Sequence, residues 1–221
     1  MNSNSELQMN TAKVGAVLLA AGSASRMGNR PKCLLERDGV PLIRRLILAL
    51  HEAGVGEVVV VLGHYADRIV LAVQDLHVRL VRNPQPEDGQ ISSLHLGLRA
   101  LSASTDAVLV ALADQALIDT ADLQDLLEAY RLRPQGAQVV QPSVEGLPGN
   151  PVVFSDVVRQ QILAGGTQFG CRQWQVAHPE QSHAWVCTNP HYRADVDTQQ
   201  DVEALAQLTG VELVWPADLS S

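Results

Sequence analysis

Apolar positions along the chain follow two different periods, and these periods alternate through its first half. Short, almost entirely apolar runs at Val14–Ala20, Glu57–Leu62 and Ala107–Leu112 are typical of strands that are buried on both faces. Between these runs, apolar side chains recur at the three- and four-residue spacing of a helix that buries one face. The alternation predicts an α/β fold with a mostly parallel sheet and helices on both sides.

The remaining elements follow from the same pattern. Ile43, Leu46, Ile47 and Leu50 share one helical face, and Gly54 stands where a helix commonly ends. The further predicted helices cover 68–73, 91–101, 123–130, 157–163 and 201–208. The further predicted strands cover 78–81, 139–140, 152–154 and 184–186.

The domain organisation is predicted to be simple. Residues 1–12 are polar and aperiodic, without a basic segment followed by an apolar run, so we expect a disordered tail and no targeting peptide. Residues 13–221 contain no internal repeat and no low-complexity linker. We therefore expect them to form one domain.

Composition and charge exclude several classes of partner. The net charge is −8 and no dense Lys/Arg run is present, so no nucleic-acid partner is expected. No stretch approaches 18 consecutive apolar residues, so no membrane partner is expected either. The three cysteines are widely spaced without a metal-binding pattern, which is typical of reduced thiols and favours a cytoplasmic location.

The loop after the first strand carries the strongest chemical signal. Residues 19–28 read LAAGSASRMG, and Lys32 follows shortly after. Small residues let a backbone approach a phosphate closely, successive N–H groups can form an anion nest, and Arg26 and Lys32 add two positive charges. The spacing matches neither a P-loop nor the dinucleotide fingerprint. On composition alone, the loop could also be a Gly/Ser-rich turn with two solvated cations.

Five segments in this order resemble the nucleotidyltransferase family that includes molybdopterin cytidylyltransferase and molybdopterin guanylyltransferase. They are residues 19–32 (LAAGSASRMGNRPK), 89–98 (GQISSLHLGL), 113–115 (ADQ), 149–154 (GNPVVF) and 194–201 (ADVDTQQD). The resemblance covers roughly residues 14–208. It implies a three-layer, Rossmann-like, doubly wound α/β fold of the nucleotidyltransferase type.

The resemblance also implies a nucleotide site. Arg26, Lys32 and Asp114 would be catalytic, and Asp114 and Asp197 would hold Mg²⁺. The implied nucleotide-binding residues are Leu19, Ala20, Ala21, Gly22, Ser23, Ser25, Arg26, Met27, Gly28, Lys32, Asn83, Gly89, Ser92, Ser93 and Asp114.

Simpler interpretations of several of these residues remain open. Asp114 could be an ordinary turn aspartate. Asp195 lies two residues from Asp197 and would share its face in a strand, so it competes as the second metal ligand. Thr198 and Asp201 fit a capping box, which favours a structural role for Asp201, and Ser92 could simply cap a helix.

The acceptor side would consist of Gln115, Gly149, Asn150, Pro151 and Arg172, whose guanidinium suits an acceptor phosphate. This side departs from the family, because residues 166–172 (GTQFGCR) lack the aspartate of the usual GDxGxR run. Ala116 and Gln199 also stand where the family has prolines.

We therefore expect a Mg²⁺-dependent nucleotidyltransferase whose substrates are a nucleoside triphosphate and a phosphate-bearing acceptor. By resemblance it would transfer CMP from CTP to molybdopterin and release pyrophosphate. Two alternatives are a non-catalytic nucleotide-binding chaperone or regulator, and a nucleotidyltransferase for another acceptor such as a sugar phosphate. The scattered histidines show no catalytic motif and are predicted to be surface or core residues.

Overall fold

A mostly parallel sheet with helices on both faces forms the centre of the computed structural model, which describes residues 12–219. The strands are β1 (Val14–Ala20), β2 (Glu36–Arg37), β3 (Val40–Pro41), β4 (Glu57–Leu62), β5 (Arg79–Arg82), β6 (Ala107–Leu112), β7 (Val139–Val144), β8 (Leu147–Pro148), β9 (Val152–Ser155) and β10 (Ser182–Cys187). The helices are α1 (Leu42–Glu52), α2 (Ala66–Val73), α3 (Gln90–Ala100), α4 (Thr120–Arg131), α5 (Asp156–Ala164), α6 (Cys171–Ala177) and α7 (Gln199–Thr209).

The strand order places β1 near the middle of the sheet. The order is β10-β7-β9-β6-β1-β4-β5, with β8 paired to β7, and β9 runs antiparallel to both of its neighbours. Strand β1 pairs in parallel with β4 and β6, and its last residues face Leu62 and Leu112 in the register. Because these three strands end together, the loops that follow them meet at one edge of the sheet.

The two faces of the sheet carry separate apolar cores. Along β1, Ala16 and Leu18 face a cluster that includes residues of α1, α2 and α4, while Val17 and Leu19 face residues of α3, α5 and α6. The side chains alternate in this way because successive residues of a strand point to opposite faces. The predicted three-layer α/β class is therefore confirmed.

Most predicted elements are present within a residue or two of their expected bounds. The periodicity did not predict α6, the β2–β3 hairpin or β8. Helix α6 is only seven residues long, and the two hairpin strands and β8 are each two residues long. Segments this short show too few repeats for a pattern to emerge.

Helix α3 lies unusually close to the sheet at Gly97. A Cβ atom at this position would overlap the Val17 side chain and come within 2.9 Å of Val61 Cγ2. Valine is stiff at χ1, so neither side chain can easily move aside. We expect Gly97→Ala to lower the free energy of unfolding by about 1–3 kcal/mol, as overpacked cores do.

Urea unfolding followed by circular dichroism measures this effect. Gly56→Ala is the matched control, because its new Cβ would have its nearest neighbour, the Val14 carbonyl oxygen, at 3.9 Å. Equal unfolding free energies for the two variants would contradict the close packing of α3.

Two further sequence predictions concern the N-terminal tail and membrane-spanning segments. The expected disordered tail at residues 1–12 lies outside the described residues, apart from residue 12. Between residues 12 and 219, no helix is both long enough and apolar enough to cross a membrane.

Candidate active site

A cavity of about 670 Å³ opens at the edge where β1, β4 and β6 end. Its walls come from the loops that follow these strands, from the turn before α3 and from the segment before α7. The lining residues are Leu19, Ala21, Gly22, Ser23, Ala24, Ser25, Arg26, Lys32, His64, Pro86, Glu87, Gly89, Gln90, Ser93, Leu112, Asp114 and Asp197. The largest share of this lining comes from the loop that was predicted to bind phosphate.

This loop turns back on itself just beyond β1. Ala24, Gly28 and Asn29 all have positive φ angles, and the amides of Met27 and Asn29 both donate to the Ala24 carbonyl, at 2.9 and 3.2 Å. Met27 is buried in a further, smaller apolar cluster, which also contains Leu35 and Val196. Its side chain therefore anchors the loop to the protein instead of facing the cavity, and Ala20 and Gly28 also lie outside the cavity lining.

Three consecutive amides of the loop have no acceptor among the residues that the structure describes. Within residues 12–219, the N–H groups of Gly22, Ser23 and Ala24 form no hydrogen bond, although all three residues line the cavity. Gly22 and Ser23 are exposed and Ala24 is half-buried, so these N–H groups are open to solvent or to a ligand. Successive amides of this kind form the concave donor surface to which oxyanions bind.

Beside these amides, Lys32 joins the two acidic residues that the motifs singled out. Its Nζ lies 2.6 Å from Asp114 Oδ2 and 2.6 Å from Asp197 Oδ1. Arg26 Nη1 contacts the other Asp197 oxygen at 3.3 Å, in a more exposed position. The loop after β1, the end of β6 and the segment before α7 thus bring two cations and two carboxylates to one point.

The surroundings of Lys32 and Asp195, together with the cavity lining, bear on the choice between Asp195 and Asp197. Burial would lower the pKa of Lys32, but the Asp114 and Asp197 carboxylates outweigh burial and raise that pKa above its usual value. Burial, reinforced by the charges of Asp114 and Asp197, raises the pKa of Asp195. Asp195 does not line the cavity, whereas Asp197 does. Asp197 is therefore the better placed of the two to face a ligand.

At the opposite wall, the start of α3 is held by a side-chain network. Asn83 is buried, and its Nδ2 donates to Ser92 Oγ and Ser93 Oγ, both at 2.9 Å. Its Oδ1 accepts the Gln85 amide, so the whole side chain is engaged within the protein. Gly89 and Ser93 line the cavity, whereas Asn83 and Ser92 line a neighbouring pocket. Asn83 therefore shapes the wall without facing this cavity.

Sequence reasoning did not name six of the residues that line the cavity. Three of them are polar, namely His64, Glu87 and Gln90, and the other three are Ala24, Pro86 and Leu112. His64 was assigned to the surface or core because it belongs to no catalytic motif. The signal that could have found it is its position, two residues beyond β4, at the edge where the loop after β1 also lies. Glu87 and Gln90 flank Gly89 and could have been found from that motif.

Three of the predicted acceptor residues, Gln115, Gly149 and Asn150, pack together near Tyr192. Gln115 is buried, and its Nε2 donates to the Asn150 carbonyl at 2.8 Å. The Asn150 amide donates to the Tyr192 carbonyl, and Gly149 packs so closely on Tyr192 that a Cβ would meet the same oxygen at 2.7 Å. Arg172 lies exposed on α6. None of these residues, nor Pro151, lines the 670 Å³ cavity.

A second group of potential metal ligands has a structural explanation. Potential ligand atoms of Asp119, Asp122 and His191 lie within 4.8 Å of one another. The carboxylate of Asp122 already accepts hydrogen bonds from the Asp119 amide and the Asn189 side chain, and its Oδ2 lies 2.8 Å from His191 Nδ1. This network caps α4 and ties it to the segment that leads to Asp197.

The fold and the cavity at its strand ends define a Rossmann-like α/β protein of the nucleotidyltransferase type. The chain belongs to the MobA-like NTP transferase domain family, whose model matches residues 16–195. The resemblance seen in the motifs is therefore confirmed at the level of this family. The match does not single out the molybdopterin cytidylyltransferases within it.

Individual relatives agree with this assignment. The chain is 32% identical to the bifunctional protein GlmU of Syntrophomonas wolfei over 67% of its own length and 32% of the relative's. It is 28% identical to a bifunctional IPC transferase and DIPP synthase of Rubrobacter xylanophilus, over 92% and 53% of the two chains. These matches therefore span only about a third to a half of the relatives' lengths.

A solved structure matches nearly from end to end. A nucleotidyl transferase from Methanothermobacter thermautotrophicus superposes with a TM-score of 0.72 at 26% identity, covering 88% of this chain and 96% of that one. The architecture described above is therefore that of a nucleotidyltransferase domain.

Proposed function

We propose that this chain is a Mg²⁺-dependent nucleotidyltransferase that transfers a nucleoside monophosphate to a phosphate-bearing acceptor and releases pyrophosphate. The observation that carries the proposal is the row of unpartnered amides at Gly22, Ser23 and Ala24, next to Arg26 and Lys32. Such a row offers several donors to the oxygens of one polyphosphate, and the two cations offset its charge.

The carboxylates fit a divalent cation. Asp114 and Asp197 each place one carboxylate oxygen 2.6 Å from Lys32 Nζ, so the two oxygens already contact a single positive charge. Carboxylate oxygens are the ligands that Mg²⁺ takes in combination with substrate phosphates. We assign Asp114 and Asp197 to hold Mg²⁺, which when bound polarises a phosphoryl oxygen and neutralises charge.

In the proposed reaction, an oxygen of the acceptor phosphate attacks the α-phosphorus, and the bond from that phosphorus to the β-phosphate oxygen breaks. The loop amides hold the leaving pyrophosphate, while Arg26 and Lys32 offset the negative charge that grows on it. No general base is required, since the acceptor phosphate is already anionic near neutral pH. Positioning and charge neutralisation supply most of the rate, as in other phosphoryl-type transfers.

The identities of the substrates rest on the motif resemblance. Ala21 stands where guanylyltransferases of the family carry glycine, which favours CTP as donor and molybdopterin as acceptor. Another acceptor, such as a sugar phosphate, is the second candidate. An acceptor other than molybdopterin is favoured by the missing aspartate in residues 166–172 and by the exposed position of Arg172, which does not line the cavity. The presence of Arg26, Lys32, Asp114 and Asp197 in one cluster speaks against a chaperone without turnover.

Pyrophosphate release tests the proposal. The purified chain is incubated with CTP, GTP or ATP, with and without Mg²⁺, and with molybdopterin or a panel of sugar phosphates. We expect release that requires Mg²⁺, one nucleotide and one acceptor, with CTP and molybdopterin as the leading pair. Tight nucleotide binding without release for any acceptor would instead indicate a binding protein.

A further inference from the structure

The turn between β4 and α2, residues 63–65, lies directly behind the loop that follows β1. Strands β1 and β4 are parallel neighbours whose last residues are paired, so the segments leaving them run side by side. None of the five motifs includes residues 63–65. Two of these residues contact the back of the loop, and the third, His64, lines the cavity.

Gly63 supports the first part of the loop. A Cβ atom at Gly63 would lie 2.5 Å from the Ala21 carbonyl oxygen and 2.8 Å from Ala21 Cα, so only glycine lets the two backbones come this close. The Ala21–Gly22 peptide is trans, and in a trans peptide the carbonyl and the following N–H point in opposite directions. With the Ala21 carbonyl facing Gly63, the Gly22 amide faces away from the turn.

Tyr65 supports the next part in the same way. Its hydroxyl donates a hydrogen bond of 2.8 Å to the Ser23 carbonyl. The Ser23–Ala24 peptide is also trans, so this bond turns the Ala24 amide to the side opposite the tyrosine. Ala24 lines the cavity and Tyr65 does not. The hydroxyl therefore fixes the plane of a peptide whose N–H is one of the unpartnered amides.

We propose that Tyr65, with Gly63, is a positioning residue that orients the Gly22 and Ala24 amides toward the polyphosphate of the nucleotide. This inference rests on the proposed function, because it takes the loop to be the polyphosphate site. Tyr65 does not touch the ligand; it acts through the Ser23–Ala24 peptide. Without the hydroxyl, this peptide can rotate. The row of loop amides must then be ordered when the ligand binds, which lowers the affinity.

Tyr65→Phe removes the hydroxyl and keeps the ring. The matched control is Tyr192→Phe, which removes an equivalent bond of 2.7 Å, from Tyr192 OH to the Asp122 carbonyl, away from the loop. Isothermal titration calorimetry measures the dissociation constants of inorganic triphosphate and of CTP, GTP and ATP, with Mg²⁺ present. Thermal unfolding of both variants shows the structural cost of each lost bond.

We expect Tyr65→Phe to raise the dissociation constant of inorganic triphosphate, and that of the nucleotide bound, about three- to tenfold, from the worth of one hydrogen bond. Tyr192→Phe should change these constants less than twofold while losing at least as much thermal stability. Gly63→Ala should weaken triphosphate binding further, because its Cβ displaces Ala21.

Three results would overturn this assignment. The first is unchanged triphosphate affinity in Tyr65→Phe, and the second is an equal loss of affinity in Tyr192→Phe. Either one removes the role of Tyr65 and leaves the proposed function intact. The third is a wild-type chain that binds neither inorganic triphosphate nor any of the nucleotides, which removes the proposed function and the inference with it.

Discussion

Asp114→Asn is expected to lower the rate of pyrophosphate release about a thousandfold or more and to abolish its response to Mg²⁺. The Asp114 carboxylate lies two residues beyond β6 and 2.6 Å from Lys32 Nζ, and its side chain is only 21% exposed. Its negative charge is therefore partly shielded from water. An amide of the same shape keeps the packing but no longer offers an anionic oxygen to the cation. Losing one metal-holding charge of this kind costs several kcal/mol of transition-state stabilisation.

Steady-state rates across a Mg²⁺ titration measure the effect, and circular dichroism checks that the variant is folded. Asp75→Asn is the matched control, since it removes the same charge from an exposed pair with Arg44, away from the cavity. An Asp114→Asn enzyme with an unchanged Mg²⁺ dependence would show that other carboxylates hold the ion.

Lys32→Met is expected to have the second largest effect, a loss of about 10²- to 10³-fold in kcat/KM. The ammonium would offset charge on the leaving pyrophosphate, and methionine fills a similar volume without charge. The same substitution should tighten Mn²⁺ binding in the absence of nucleotide. The Lys32 ammonium contacts Asp114 and Asp197 at once, so a divalent ion that takes both oxygens competes with it.

Electron paramagnetic resonance of free Mn²⁺ measures the second effect independently of turnover. Lys13→Met is the control, because Lys13 is the chain's other lysine and its exposed side chain does not line the cavity. A Lys32→Met variant with wild-type kcat/KM would refute the role assigned to the lysine. Equal Mn²⁺ affinity of the wild type and the variant in the absence of nucleotide would show that the Lys32 ammonium does not compete with the divalent ion for Asp114 and Asp197.

The central strands could be predicted from the sequence because they are long and almost entirely apolar, whereas the strand order and the antiparallel β9 were not predicted. Val14–Ala20, Glu57–Leu62 and Ala107–Leu112 have the same bounds in the structure as in the pattern. Helix α6 and the β2–β3 hairpin could not be predicted, since each is shorter than the window over which a period can be recognised. Their positions depend on tertiary packing, such as Trp174 of α6 against the second apolar core.

The site shows the same division between local and long-range information. The loop at residues 19–28 could be predicted, because its chemistry lies in consecutive residues. The pairing of Lys32 with Asp197 joins positions 165 residues apart, and only the chain topology brings them together. The support from Gly63 and Tyr65 depends on the register of β1 with β4, which no local pattern contains. Asn83 was predicted to bind the nucleotide, but its side chain makes three hydrogen bonds that hold the start of α3, and it does not line the cavity.

A crystal structure of this chain with CTP and Mg²⁺, or with the nucleotide that supports turnover, tests the proposed site most directly. We expect phosphate oxygens to accept hydrogen bonds from the amides of Gly22, Ser23 and Ala24, and the metal ion to contact Asp114 and Asp197. A nucleotide bound elsewhere, with these amides making no contact to it, would refute the proposed polyphosphate site.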